Sequence, residues 1–453
     1  MTSISKNISP ERMINSLKQA GIERVSLSTN QLAWIATLIV VAWYPFNHIY
    51  TYHVITGNIP NIIEGVLGLL VLSFSAIFGV LLLIQLFRRK LSILSIFLIG
   101  IFTGFIALTV SWTVLHYLFA GGPKGSMLAF EYYSRVLFLH LFLFLAGYYM
   151  RPQMCSTIWI ASFSVIIVNS ILFVNSNNLM IDLRCIVDKA YSGMYLSLSD
   201  AAMFTGFIAW SVAKKPFTRV ACLCLLGVVL FIMGSRANLI GYLIVLPVAL
   251  SFTLRRSSQI AFYSVMVVGG ATVFFLMGGW EMLASSRHVQ LFSLSDDSSW
   301  IARNEMLFTG MAGIVQNPVF GDYAGQLEQR GTLGSYIHNW LSVWQAFGII
   351  PFVLYTFWVI LGIYQAARTF WLSGRRATRQ DQLIAVLCLL VAVLVFSAKS
   401  VGWVHISLVW GMLTAKTIDS RSSINLKGYQ ERVNPLHPQR NSGVGPDVPS
   451  DSF

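Results

Sequence analysis

From residue 31 to residue 415 the chain alternates long apolar runs with short polar breaks. A helix needs about 20 mostly apolar residues to cross the hydrocarbon core of a bilayer. Twelve runs meet that need, near 31–50, 62–87, 92–119, 131–150, 156–175, 196–213, 218–235, 237–254, 259–278, 340–364, 382–398 and 401–415. The pair spanning 218–254 is divided only by the turn Gly234-Ser235-Arg236. One long break, 279–339, carries a helical pattern of its own, with Met306, Leu307, Met311, Ile314 and Val315 at helical spacing and Asn317-Pro318 as the stop. The pattern predicts an all-α polytopic membrane protein of about twelve transmembrane helices, with one large external loop containing short helices.

Composition agrees and narrows the class. The chain has 453 residues, 56% hydrophobic and only 11% charged, with a mean hydropathy of +0.68. Soluble proteins carry about 25% charged residues. Too little polar surface is present to cover a water-soluble globule, which excludes a cytosolic enzyme, a disordered scaffold and a secreted disulfide domain. Cysteine is scarce: Cys155, Cys185, Cys222, Cys224 and Cys388. Only Cys185 falls in a segment read as external, so no disulfide framework is expected. Cys222 and Cys224 read as small packing residues. The first 30 residues are polar and the first apolar run is long enough to span, so no cleavable signal peptide is read.

Charge placement gives an orientation. The net charge is +13, and 22 of the 31 Lys and Arg residues fall in every second connection if the N-terminus is cytoplasmic. Basic residues favour the cytoplasmic side. Both termini are therefore expected in the cytoplasm. Residues 1–30 read as a cytoplasmic amphipathic segment, with Ser9-Pro10-Glu11 as a helix start, Gly21 as a stop, and Met13, Ile14 and Leu17 on one face. Residues 31–416 form the twelve-helix membrane domain, including the loop 279–339. Residues 417–453, rich in Ser, Asn, Pro and Gly, read as a disordered cytoplasmic tail.

Nine basic residues break the positive-inside pattern: Lys124, Arg135, Arg184, Lys189, Arg236, Arg287, Arg303, Arg330 and Lys399. Lys124, Lys189 and Arg287 read as ordinary solvated loop charges. Arg236 stands between two strongly apolar stretches, where a lipid-facing charge costs about 2.5–3.5 kcal/mol on insertion scales. It is expected either to snorkel at a helix end or to line an outward-facing polar cavity and hold an anion. The long loop adds Trp300, Arg303 and, just before the tenth span, Tyr336-Ile337-His338-Asn339-Trp340.

These residues together resemble the bacterial O-antigen ligase and O-antigen polymerase family: Gly234-Ser235-Arg236 opening a span, Arg303 in a short helix ended by Asn317-Pro318 and followed by Phe320-Gly321, and His338-Asn339 before a span containing Gly348. The match covers roughly residues 218–365; the first half matches in hydropathy and span count only. The resemblance implies an inner-membrane glycosyltransferase that takes glycan from an undecaprenyl diphosphate carrier at the periplasmic face. The acceptor would be lipid A–core for a ligase, or a second lipid-linked glycan for a polymerase. The family's ligases carry a further Arg in an earlier periplasmic loop, for which Arg184 is the candidate.

The chemistry accounts for the residue types. A lipid diphosphate is a good leaving group once its charge is stabilised, and guanidinium groups offer fixed bidentate donors to phosphate oxygens. Arg236, Arg303 and Arg184 are the expected diphosphate ligands. The external segments hold no Asp-x-Asp pair, so no metal and no cofactor are expected. His338 is the candidate base for the acceptor hydroxyl; a structural role at a helix start is the competing reading. Tyr336 and Asn339 are candidates to orient His338 or the acceptor. Trp300 is a candidate to stack on a sugar ring. His288 is a second candidate base, and His405 with Trp403 reads as packing or pore lining. Direct attack at C1 implies inversion. The expected partners are the lipid-linked glycan, its acceptor and the bilayer, with no nucleic acid. The competing class is a transporter or flippase for a lipid-linked glycan; twelve spans suit it, but charges gathered at one face and the absence of repeated halves do not.

Overall fold

A computed structural model describes residues 29–63, 66–88, 93–174, 180–181, 194–254, 298–334, 337–373 and 377–416. Among these the chain is all-helical. Seven helices are long and apolar enough to cross a membrane, and three shorter apolar helices accompany them. The molecule is thus a multi-pass membrane protein. The expected ninth run (259–278), the amphipathic segment before residue 29 and the tail after residue 416 lie outside the described residues, as do Arg184, Tyr336, Cys185 and His288.

The first run folds as α1 (Thr29–Val41), a π-helical turn (Ala42–Asn47) containing Pro45, and α2 (His48–Ile55). Then come α3 (Val66–Arg88), α4 (Ile93–Phe119), α5 (Met127–Tyr149), α6 (Ser156–Leu172), α7 (Met194–Val212), α8 (Pro216–Ile232) and α9 (Arg236–Thr253). Within the long loop lie α10 (Ser298–Gln316) and the short α11 (Gly325–Arg330). The chain closes with α12 (Leu341–Phe347), α13 (Ile349–Arg368), α14 (Arg379–Ser397) and α15 (Ile406–Lys416).

Boundaries follow local chemistry. Pro216 opens α8 in the first turn, where no backbone N–H is needed. Thr378 caps α14 by accepting from the Asp381 N–H. The helix of the long loop ends at Gln316, directly before Asn317-Pro318, as its sequence pattern predicts. The tenth run differs from expectation. It is not one span over 340–364: Gly348, at φ +84°, separates a seven-residue helix from the spanning α13.

Two ends of the bundle are distinguishable. At one, Arg379 donates to the Lys214 carbonyl (3.2 Å), Arg219 donates to Gln382 (2.8 Å) and Lys416 pairs with Asp381 (2.8 Å). At the other, Lys124 meets Asp322, and Trp340 N–H donates to the Val395 carbonyl at the far end of α14. Between them the helices pack through glycine. A Cβ at Gly147 on α5 would collide with the Leu408 carbonyl, and one at Gly411 on α15 with the Phe144 carbonyl. Small residues let membrane helices approach backbone to backbone.

Candidate functional site

The segment before α12 is held from three sides. Gln345, in the last turn of α12, accepts the Ile337 N–H on its side-chain oxygen (3.1 Å), while its backbone carbonyl accepts from the Asp322 N–H (2.5 Å). Gly348 N–H donates to the Trp344 carbonyl, and the Val319 carbonyl accepts from Ile349 (3.2 Å). Gly321, at φ +75°, lies so close to this corner that a Cβ would stand 2.6 Å from Gly348 N. Phe320-Gly321 and Gly348, noted in the sequence as separate motif pieces, are two sides of one backbone-to-backbone contact.

The helix α10 docks on the same corner. A Cβ at Gly310 would enter the Ile337 side chain and come within 2.9 Å of Gln345 Oε1. Arg303 precedes Gly310 by seven residues, which is two helical turns and the same face. Arg303 therefore lies on the face of α10 turned toward the segment that carries His338. The electrostatics agree. Burial lowers the His338 imidazole to about 4, and the positive charges of Arg303 and then Lys399 push it the same way. An imidazole in that condition is neutral at neutral pH.

Lys399 belongs to a polar cluster buried within the bundle. Its Nζ donates to both oxygens of Asp200 on α7 (2.9 and 3.1 Å). Asp200 Oδ1 also accepts from Asn238 Nδ2 (2.7 Å), and Oδ2 from Trp403 Nε1 (3.0 Å). His405 Nε2 stands 3.6 Å from Oδ2, and its Nδ1 meets the Tyr44 hydroxyl at 2.9 Å. Asp200 is 4% exposed and Lys399 8%. Every carboxylate oxygen is thus supplied with donors, as a buried charge requires.

Arg236 is the first residue of α9, and Gly234 at φ +70° makes the turn into it. Two residues on, Asn238 reaches Asp200. Asn238 thus ties the α9 start to the Asp200–Lys399 pair, whose ammonium acts on His338 through its charge. The Ile181 N–H donates to the Ile232 carbonyl (2.8 Å) at the end of α8.

Of the sequence candidates, Arg303 lies within electrostatic reach of His338, and Arg236 opens α9 two residues before Asn238 of the buried cluster. Asn339 turns its carboxamide oxygen to the Leu341 N–H (3.0 Å), which caps the start of α12. Trp300 is exposed in the first turn of α10 (44%). Lys124 is no solvated loop charge: it pairs with Asp322 at 2.7 Å and Glu328 at 3.3 Å. Nor is His405 mere packing, since it faces Asp200. Asp200, Lys399 and Gln345 escaped the sequence reading as site residues. The only available signal was an Asp and a Lys inside or beside apolar runs, where ionisable residues are rare and functional. Among the described residues no group of three or more His, Cys, Asp or Glu side chains is arranged to hold a metal ion.

No protein-family model matches the chain, and no curated protein matches it.

Proposed function

We propose that the chain is an inner-membrane glycosyltransferase with twelve spans, both termini cytoplasmic, acting at the periplasmic face on an undecaprenyl-diphosphate-linked glycan. The end bearing Lys214, Arg379 and Lys416 faces the cytoplasm in this reading, as basic clusters do. One observation carries it: a neutral, half-buried imidazole, His338, beside the Arg303 guanidinium and outside the spanning helices. Arg303 and Arg236, with Arg184, bind the diphosphate. The acceptor oxygen attacks C1 as the C1–O bond to the diphosphate breaks. The bonding pair leaves with the diphosphate, and the acceptor's proton passes to His338.

Electrostatics fit this sequence of events. Lowered to about 4, His338 is by itself a weak base. A bound diphosphate brings negative charge against Arg303 and cancels part of the repulsion that depresses the imidazole. Donor binding therefore raises the basicity of His338 when a base is needed. Attack from the face opposite the leaving group inverts the anomeric centre, and the scheme needs no metal. The acceptor is lipid A–core in the ligase form, a second lipid-linked glycan in the polymerase form.

The test is transfer in membranes carrying Arg236→Ala, Arg303→Ala or His338→Ala. Each variant should abolish transfer at normal membrane levels, and the product of the unaltered chain should show inversion. Full transfer by all three variants sinks the proposal. Lipopolysaccharide gels of a deletion strain separate the forms: core alone with accumulated carrier-linked polymer for a ligase, core plus one repeat for a polymerase.

A second reading, a transporter for a lipid-linked glycan, draws on one observation, the buried Asp200–Lys399 pair with His405 and Tyr44. Intramembrane ionisable chains serve proton relays in transporters. Purified protein in liposomes decides between them: movement of the lipid-linked glycan across the bilayer without formation of a glycosidic product supports the transporter.

A further inference from the structure

A cavity of about 740 Å³, lined by none of the residues of the α10–α12 corner, lies between α1–α2, α3 and α5. Its wall includes Trp43, Asn47, Tyr50, Thr51, Arg135 and Phe138. All these residues lie in the half of the bundle away from Lys214, Arg379 and Lys416. Arg135 is eight residues into α5, about 12 Å along the helix at 1.5 Å per residue. Its side chain is exposed on the apolar flank of a spanning helix and makes no hydrogen bond or ion pair among the described residues. Glu131, one turn nearer the helix start, does not pair with it. Among the described residues no carboxylate lines the cavity.

The opposite wall is distorted toward the same space. The π-helical turn Ala42–Asn47, with Pro45 inside it, carries Trp43 and Asn47 onto the cavity wall. Such turns interrupt regular helices mostly at functional positions. Next to them the Tyr50 hydroxyl accepts the Ile62 and Ile63 N–H groups (2.9 Å each) and holds Ile63 at the cavity's edge. The result is a lipid-facing hollow with one fixed positive charge, an amide beside it, and apolar and aromatic walls below.

We propose that this cavity binds an anionic phospholipid of the leaflet on the His338 side, its single phosphodiester charge paired with Arg135 and its upper chain methylenes against Trp43 and Phe138. One guanidinium without a carboxylate partner matches one phosphodiester. The apolar surroundings strengthen that pairing and match the lipid chains. A zwitterionic lipid brings its own cation to the same place and loses the advantage. The site shares no residue with the α10–α12 corner and is independent of the reaction proposed there.

Native mass spectrometry of the detergent-purified full chain, titrated with phosphatidylglycerol, tests it. Arg135→Gln should need about tenfold more phosphatidylglycerol for the same bound fraction, the size of losing one charge-assisted contact. Arg135→Lys should recover part of that. Asn47→Leu should weaken binding while leaving the charge, and Lys214→Gln at the other end should leave it unchanged. Phosphatidylcholine should bind the unaltered chain and Arg135→Gln alike. Equal phosphatidylglycerol titrations for the unaltered chain and Arg135→Gln would overturn the proposal. So would an equal loss in Lys214→Gln, or displacement of the lipid by inorganic phosphate alone at similar concentration.

Discussion

Lys399 and Asp200, 199 residues apart in the chain, meet inside the bundle with Nζ 2.9 Å from Oδ1. Removing one partner leaves the other charge buried and uncompensated, which typically costs about 3–5 kcal/mol. Asp200→Asn and Lys399→Met should each lower the thermal midpoint of the detergent-purified protein sharply, and the double variant should recover much of the loss. Single variants as stable as the unaltered protein would show that the pair carries no such load.

Gly310 admits no side chain because Ile337 and Gln345 fill the space beside it. Gly310→Ala displaces the Ile337 and Gln345 side chains or α10 itself, and so disturbs how Arg303 and His338 face each other. A displacement of about 1 Å at a reacting site can cost on the order of 100-fold in rate. Transfer should fall by at least tenfold in Gly310→Ala at unchanged membrane levels, whereas the neighbouring exposed Met311→Ala should keep its activity. In vitro transfer with both variants checks this.

His338 is held near 4 by burial first, then by Arg303 and Lys399. Its ¹³C resonance in histidine-labelled protein, identified by its loss in His338→Gln, should titrate near pH 4. Protonation beside a cation is unfavourable, so Arg303→Gln should move the titration upward, toward but not past the ordinary 6.5, because burial persists. An unmoved midpoint would mean that Arg303 does not face the imidazole.

Lys124 clips the α4–α5 connection to the loop after α10 through Asp322 and Glu328. Burial alone would lower its ammonium, but the hydrogen bonds and charges of Asp322 and then Glu328 outweigh it and raise it above 10.5. A raised pKa stabilises the fold fully below 10.5, with the gain lost as pH rises through the higher folded value. Unfolding at neutral pH should show Lys124→Met destabilised by up to about 1 kcal/mol, the scale of an ion pair screened by solvent. The difference should shrink only in strongly alkaline buffer.

The crossing of α5 and α15 depends on glycine on both sides. Gly147→Leu or Gly411→Leu should separate the two helices and lower the amount of folded protein in membranes. Gly68→Leu, where the added side chain meets open space, should be tolerated. Fluorescence-detected gel filtration of the three variants measures the difference.

The apolar runs by themselves determined that this chain is helical and membrane-embedded, because an unbroken apolar stretch leaves the backbone only internal hydrogen bonds in lipid. Local stops were equally legible: Asn317-Pro318 ends α10 because proline disfavours helix in the residue before it. Arg303 and His338 stood out as residue types wanted by phosphate and acid–base chemistry, and the tertiary structure set them together through Gly310 and Ile337. It alone decided the rest. Asp200 and Lys399 carry no motif, since their meaning lies in a contact between helices distant in sequence. Gly348 ends a helix inside an apolar run that hydropathy reads as continuous, because its break follows from backbone contact with Val319 and Gly321. Arg135 reads as one more stray charge until the packing of α1–α2, α3 and α5 opens a hollow in front of it. Run length and turn chemistry are local properties, whereas the pairing of buried charges and the shape of a cavity exist only once distant segments are packed.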